Sequence, residues 1–196
     1  METEIETRLI WLEKRSFRIV LISTFTALSV VLGYLLVYLP NIELFTLTIF
    51  LSGFVLGKRD GITVGFSSSF IFCFFNPFGA SPLPLFIFQL VYYSTLGSVG
   101  GVTNKFLRNK NLFTANEDLY KNSVIFIFGL VGAVSTSIYQ VLSSIVDVLF
   151  FFGDFHGFVP YFITGIPFTI IHIVGNTLGF IFILPGTIMV VFKMLY

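Results

Sequence analysis

Charged residues are scarce in this chain, and their scarcity excludes most classes of soluble protein. Only 11% of the 196 residues are Asp, Glu, Lys or Arg, whereas 56% are hydrophobic and 27 are Phe; a soluble domain is typically about 25% charged. The net charge of +1 lacks the basic excess that usually neutralises nucleic-acid phosphates. The composition therefore predicts a protein of the lipid bilayer, with no nucleic-acid partner.

Enzyme motifs are also missing. The sequence contains no GxSxG, HExxH, Walker A or CxxC pattern, and "GKRDG" at residues 57–61 lacks the spacing of a P-loop. The single cysteine, Cys73, can form no internal disulfide and is interpreted as a small, buried apolar residue. We accordingly predict no catalysis, no cofactor and no metal site, and any ATP hydrolysis would occur on another chain.

Six apolar segments follow one another along the chain. A helix needs roughly 20 apolar residues to cross a bilayer, and a backbone in lipid must satisfy its own hydrogen bonds. The sequence therefore predicts an all-α, six-helix transmembrane bundle over residues 18–196, preceded by an amphipathic helix on the membrane surface in residues 1–17. The segments are 18–39, 44–57, 61–75, 83–107, 123–152 and 159–192.

Three of the predicted segments have unusual lengths for helices that cross a bilayer. The second and third segments are short for a bilayer, although a re-entrant pair would scatter the basic residues over both faces. The fifth segment is long, which predicts either a steep tilt or a break near residues 135–137.

The basic residues predict which side faces the cytoplasm. All eleven Lys and Arg lie before or at the start of span one, after span six, or in and around the links after spans two and four, while the links after spans one, three and five contain none. By the positive-inside rule, both termini are cytoplasmic. Residues 57–61 are then interpreted as a tight cytoplasmic turn, with glycines at both ends that tolerate positive φ.

Polar side chains gather toward the extracellular half of the predicted bundle. His172 and Asn176 are four residues apart and share a helix face. Amides, aromatic rings and carboxylates around an apolar bundle suit a small, partly aromatic ligand. Hydrogen bonds between helices would explain His172 and Asn176 equally well, and Glu43 could be a solvated loop residue. The predicted binding residues are Asn41, Glu43, Asn76, Gln89, Tyr92, Tyr139, Gln140, Asp147, His172 and Asn176.

Small residues four apart predict close helix contacts. Such pairs occur at Ser23 and Ala27, at Gly97 and Gly101, and at Gly175 and Gly179. Most pairs of this kind pack a protein's own bundle. Ser23 and Ala27 lie on the first span, beside the predicted surface helix, and are the better candidates for docking another subunit.

The segment "FLSGFVLGKRDGITVGFSSSFIF" at residues 50–72 resembles the substrate-binding, or S, components of energy-coupling factor (ECF) vitamin transporters. Gly53, Gly57, Gly61 and Gly65 stand at the family's glycine positions, 67–69 match its small polar tail, and "NPFGASPLPLF" resembles its outer links. The resemblance implies an extracellular-facing pocket for a vitamin or related micronutrient, a membrane-embedded coupling subunit and two cytoplasmic ATPases. The family's Ala-x-x-x-Ala coupling motif is matched nearest by Ser23 and Ala27.

Two other classes of protein remain as alternatives. A structural scaffold similar to the MreD morphogenesis proteins would also have several short spans, but would bind partners and no small molecule. An intramembrane enzyme would require a different arrangement, in which Asp147, Asp154, His156 and His172 converge.

Overall fold

The chain folds into helices joined by short connections. The computed structural model describes residues 15–113 and 118–195, and the regular structure in these ranges is entirely helical, as predicted. The predicted surface helix in residues 1–17 lies almost wholly outside the described residues. The helices are α1 (Arg15–Leu35), α2 (Phe45–Leu56), α3 (Lys58–Phe74), α4 (Leu83–Asn109), α5 (Asn122–Phe152), α6 (Phe158–Leu178) and, after a π-helical turn at Gly179–Ile183, α7 (Leu184–Leu195).

Four helical stretches are long and apolar enough to cross a membrane. They are Arg15–Leu35, Leu83–Asn109, Asn122–Phe152 and Phe158–Leu195. The chain is thus a multi-pass membrane protein. Helix α5 continues through residues 135–137 without the break that its length suggested. The π-helical turn precedes Pro185, which has no N–H group for a normal helical bond, so widening the helix there accommodates the proline.

The connection between α2 and α3 is shorter than the sequence suggested. Within residues 57–61, only Gly57 has a positive φ, of 94°. Helix α3 already begins at Lys58. The prediction of a five-residue turn over 57–61 was therefore wrong, because the charged residues occupy the first turn of a helix. Asp60 is buried there and binds the Arg18 guanidinium in two places, with its Oδ1 2.8 Å from Nη2 and its Oδ2 3.0 Å from Nε.

Helices α1 and α3 run in the same direction, so α2, which lies between them in the chain, runs in the opposite direction. Arg18 meets Asp60 at one end of α1 and α3, and Tyr34 donates a hydrogen bond to the Ile71 carbonyl at the other. The described Lys and Arg residues collect at one end of the bundle, here called the basic end, which holds the start of α1, the α2–α3 connection, the end of α4 and the end of α7. The opposite end, here called the polar end, holds connections 36–44, 75–82 and 153–157.

Helix α2 lies at the centre of the bundle. Its first eleven residues are all buried, as expected for a helix that is apolar on every side. The Phe50 and Phe54 rings contact Phe128 of α5, and Phe54 also contacts Phe192 of α7. Because other helices surround α2, its 12 residues need not match the thickness of the bilayer.

Glycines bring the backbones of α2, α3 and α4 together. A Cβ atom at Gly53 would overlap the Gly97 carbonyl, and one at Gly97 would overlap the backbone of Gly61. Gly65 faces the Tyr93 carbonyl in the same way. Thus Gly53, Gly61 and Gly65 of the family pattern, together with Gly97, form the contact surface of three helices.

Candidate functional site

A polar network at the polar end centres on the Glu43 carboxylate. Glu43 precedes α2 and accepts a hydrogen bond from the Thr46 N–H at 2.7 Å, which satisfies a donor in the first turn of that helix. Its other oxygen, Oε1, lies 2.9 Å from Asn176 Nδ2 and 3.2 Å from His172 Nε2. One carboxylate therefore joins the start of α2 to the last two turns of α6.

Two side chains of α5 extend this network. Gln140 Nε2 lies 2.8 Å from His172 Nδ1, and Asn176 Nδ2 donates to Thr136 Oγ1 at 3.0 Å. His172 Nε2 faces the Glu43 carboxylate and Nδ1 faces the Gln140 amide, so the ring lies between the start of α2 and α5. His172 and Asn176 are 6% and 3% exposed, so these polar groups are paired with one another inside the protein.

Glu43 lies in the connection before α2, and its surroundings favour the ionised form. Burial by itself raises the pKa of the carboxyl group. The hydrogen bond and the charge of His172, with the hydrogen bonds from Thr46, outweigh that effect and lower the pKa of Glu43 below its ordinary value. Glu43 is therefore ionised at neutral pH.

Aromatic rings line one side of the network. The Tyr139 ring lies 6.0 Å from His172 and 4.9 Å from Tyr92, measured between ring centres. Gln89 Nε2 donates to the Tyr139 hydroxyl at 3.1 Å, and Tyr92 donates to the Ser135 carbonyl at 2.9 Å. Gln89 Oε1 is buried and accepts no hydrogen bond within the described part of the chain.

Two cavities adjoin the network, each with a volume of about 340 Å³. Glu43 and Asn176 line the first, together with apolar residues of α2 and α6 such as Leu47. Gln140 and Asp147 line the second, and Tyr161 donates to Asp147 Oδ2 there at 3.2 Å. His172 links a residue of each cavity, because it is hydrogen-bonded to Glu43 of the first and to Gln140 of the second.

The predicted binding residues thus separate into three groups. Seven of them form the network and its aromatic side, whereas Asp147 belongs to the second cavity. Asn41 donates to the Phe168 carbonyl, and Asn76 accepts from the Phe78 N–H within its own loop, so neither is hydrogen-bonded to the network. The seven are Glu43, Gln89, Tyr92, Tyr139, Gln140, His172 and Asn176.

The four residues of the enzyme alternative make separate contacts. Asp147 pairs with Tyr161 and His172 with Gln140 and Glu43, while Asp154 accepts the backbone N–H of His156. In residues 15–113 and 118–195, no group of three or more His, Cys, Asp or Glu could hold a metal ion. Cys73 is buried, as the sequence suggested.

The small-residue pairs differ in where they lie. Gly97 and Gly101 face α2 and α3 inside the bundle, and a Cβ at Gly179 would lie 3.3 Å from the Leu47 side chain. Ser23 and Ala27 lie on the exposed side of α1. The α1 pair is therefore available to another molecule.

Sequence reasoning missed two members of the site. Thr136 accepts from Asn176, and Tyr93 contacts both Tyr92 and Tyr139 through its ring. A signal for Thr136 was present, because it lies three and four residues before Tyr139 and Gln140 and shares their helix face.

Comparison with protein families gives a match over most of the chain. The family model described as the substrate-specific component of ECF transporters matches residues 17–184. No curated protein and no solved structure matches the chain significantly.

Proposed function

Because the chain belongs to the family of substrate-specific components of ECF transporters, we propose that it binds a vitamin or a related micronutrient for import. The observation that carries this proposal is the partly buried network of Glu43, His172, Asn176 and Gln140 at the polar end. The family is one of transporters and is not an enzyme class.

The network supports a ligand site better than a purely structural role. Polar and ionisable groups inside a membrane protein are costly, and those that persist commonly mark substrate pathways. Cavities of about 340 Å³ adjoin this network on two sides, a size within the range of small-molecule sites. The unpartnered Gln89 Oε1 offers a further acceptor to a ligand.

The chemistry of these residues favours a ligand with a flat ring and hydrogen-bond donors. Tyr92 and Tyr139 can contact a ring by stacking or by edge-to-face packing. The Glu43 carboxylate and Gln89 Oε1 are acceptors and therefore favour donor or cationic groups on the ligand.

The proposal places the basic end in the cytoplasm. The Glu43 network at the polar end then faces the outside of the cell. In this arrangement α1 to α5 each cross once, and α6 and α7 form the sixth crossing together. The collection of Lys and Arg at the basic end supports it through the positive-inside rule.

The proposed partners are a membrane-embedded coupling subunit and two cytoplasmic ATPases, with Ser23 and Ala27 as the docking surface. The exposure of both residues on α1 supports this assignment. Close approach of a partner helix at a small-x-x-x-small pair gains packing contacts in lipid.

Identification of the bound molecule tests the proposed function. The protein is purified from cells grown in rich medium, and co-purified small molecules are identified by mass spectrometry. We expect one micronutrient that is retained by wild type and by Asn76→Ala and lost from Gln140→Ala. Absence of any ligand, together with no binding across a panel of vitamins, would overturn the proposal.

A further inference from the structure

A groove on the outer surface lies between α3 and α4 and has a volume of about 570 Å³. It shares no residue with the Glu43 network. Most of its lining is apolar. Its one charged lining residue, Lys58, lies at the end of the groove nearest the basic end of the bundle. Its main residues are Lys58, Ile62 and Phe66 of α3 and Ile87, Val91 and Thr95 of α4.

Small side chains on α4 create this groove. Ser94, Thr95 and Ser98 leave space between the larger Phe66 and Ile87. The hydroxyls of Ser94 and Thr95 donate to the Leu90 and Val91 carbonyls of their own helix, at 2.7 and 2.8 Å. Because these donors are satisfied internally, the groove is compatible with an apolar occupant.

The length of the groove corresponds to one leaflet of a bilayer. Lys58 is the first residue of α3, and Phe66 lies eight residues further, a rise of about 12 Å. On α4 the lining runs from Ser98 to Ile87, a rise of about 16 Å. Half of a hydrocarbon core about 30 Å thick is about 15 Å. The groove is therefore about as long as one leaflet is deep, with Lys58 toward the basic end and Ile87 one turn after the start of α4.

The charge at the mouth of the groove is positive. Lys58 and its neighbour Arg59 are exposed, and within the described part of the chain no acidic residue lines the groove. The carboxylate nearest to Lys58 in sequence is Asp60, which already forms an ion pair with Arg18. Basic residues at this depth attract anionic lipids, and a Lys can lay its stem on an apolar surface while its ammonium group meets a phosphate.

We propose that this groove binds one acyl chain of an anionic phospholipid from the leaflet at the basic end, with the lipid phosphate at the Lys58 ammonium group. The inference depends on the protein's spanning a membrane and is independent of the micronutrient proposal.

Native mass spectrometry of the full chain in detergent tests this site with phosphatidylglycerol and phosphatidylcholine as probes. Lys58→Gln should lower the preference for phosphatidylglycerol about fivefold, the change expected for one Lys at an anionic lipid. Arg59→Gln is the matched control, because it removes a neighbouring exposed charge that does not line the groove. Thr95→Phe should fill the groove and reduce binding of both lipids, whereas Val102→Phe, exposed on α4 outside the groove, should not.

Equal effects of the two charge variants would overturn the proposal, since they would indicate general surface attraction. Unchanged lipid binding by Thr95→Phe would overturn it as well. If that variant instead prevented assembly with the coupling subunit, the groove would be assigned to a protein helix.

Discussion

Glu43 is a single carboxylate that binds two side chains of α6 and a backbone N–H of α2. Replacement by Gln keeps the size but removes the charge that strengthens these hydrogen bonds, at a cost of about 1 to 3 kcal/mol. We expect Glu43→Gln to lower the thermal unfolding temperature in detergent and to weaken binding of the co-purified ligand at least tenfold.

The matched control for this change is Asn41→Gly in the same connection, because Asn41 has a positive φ of 57° that glycine tolerates. Asn41 donates to the Phe168 carbonyl and is partly exposed. Equal losses in the two variants would mean that the connection as a whole, rather than the carboxylate, holds the site.

The pH dependence of stability follows from the lowered pKa of Glu43. A carboxyl whose pKa is lower in the folded than in the unfolded protein stabilises the fold above its ordinary value of 4.5, and this contribution disappears as the pH falls through the folded value. The difference in unfolding temperature between wild type and Glu43→Gln should therefore be constant near neutral pH and shrink below about pH 4.5. A difference that grows on acidification would show that Glu43 is not ionised in the fold.

At the scale of helices, the contact of α3 with α2 and α4 requires glycine. A Cβ at Gly97 would overlap the backbone of Gly61, which no side-chain rotation can relieve. Gly97→Ala should therefore cost roughly 1 to 3 kcal/mol, measured by thermal or denaturant unfolding in detergent. Gly165→Ala in α6 is the control, since its Cβ would meet nothing within 4 Å, and a similar loss there would refute this explanation.

The exposed surface of α1 at Ser23 and Ala27 is the proposed docking site of the coupling subunit. Ser23→Leu and Ala27→Leu add bulk on an exposed surface, so ligand affinity of the isolated protein should stay within a few-fold. Uptake in cells that supply the coupling subunit should be abolished, because a bulky residue separates helices that must approach closely. Val134→Phe, exposed on α5, provides the control and should leave uptake intact.

A joint loss of binding and uptake would place Ser23 and Ala27 in the ligand-binding bundle. If neither property changed, the docking surface would lie elsewhere.

Helix positions were predictable because charges and glycines interrupt the apolar segments. The segment predicted at 123–152 is the helix Asn122–Phe152. The start of α3 was misplaced because charged residues are tolerated in a first turn, where Asp60 finds Arg18 from a distant part of the chain. The gathering of polar residues at one end followed from topology, but the pairing of Gln89 with Tyr139 depends on how two helices rotate against each other. No local pattern encodes that rotation.

The arrangement of the whole molecule predicts which positions are accessible from outside a cell. With six crossings and a cytoplasmic basic end, single cysteines introduced at Asn41, Ser81 and Gly157 should react with a membrane-impermeant thiol reagent in intact cells. Cysteines at Arg59 and Asn109 should react only after the membrane is opened. Labelling of either in intact cells would overturn the proposed orientation. The native Cys73 is replaced by Ser in all of these variants.

The complete enclosure of α2 also constrains the order of events during biosynthesis. This helix emerges from the ribosome before α4, α5 and α7, which later cover it, so in the proposed arrangement of six crossings it is first surrounded by lipids. Thr48 and Ser52 donate to the Leu44 and Ile49 carbonyls, hydrogen bonds that need no later helix. The helix can therefore remain in the bilayer with these hydroxyl groups hydrogen-bonded to its own backbone. The remainder of the chain is then inserted and displaces the lipids around it.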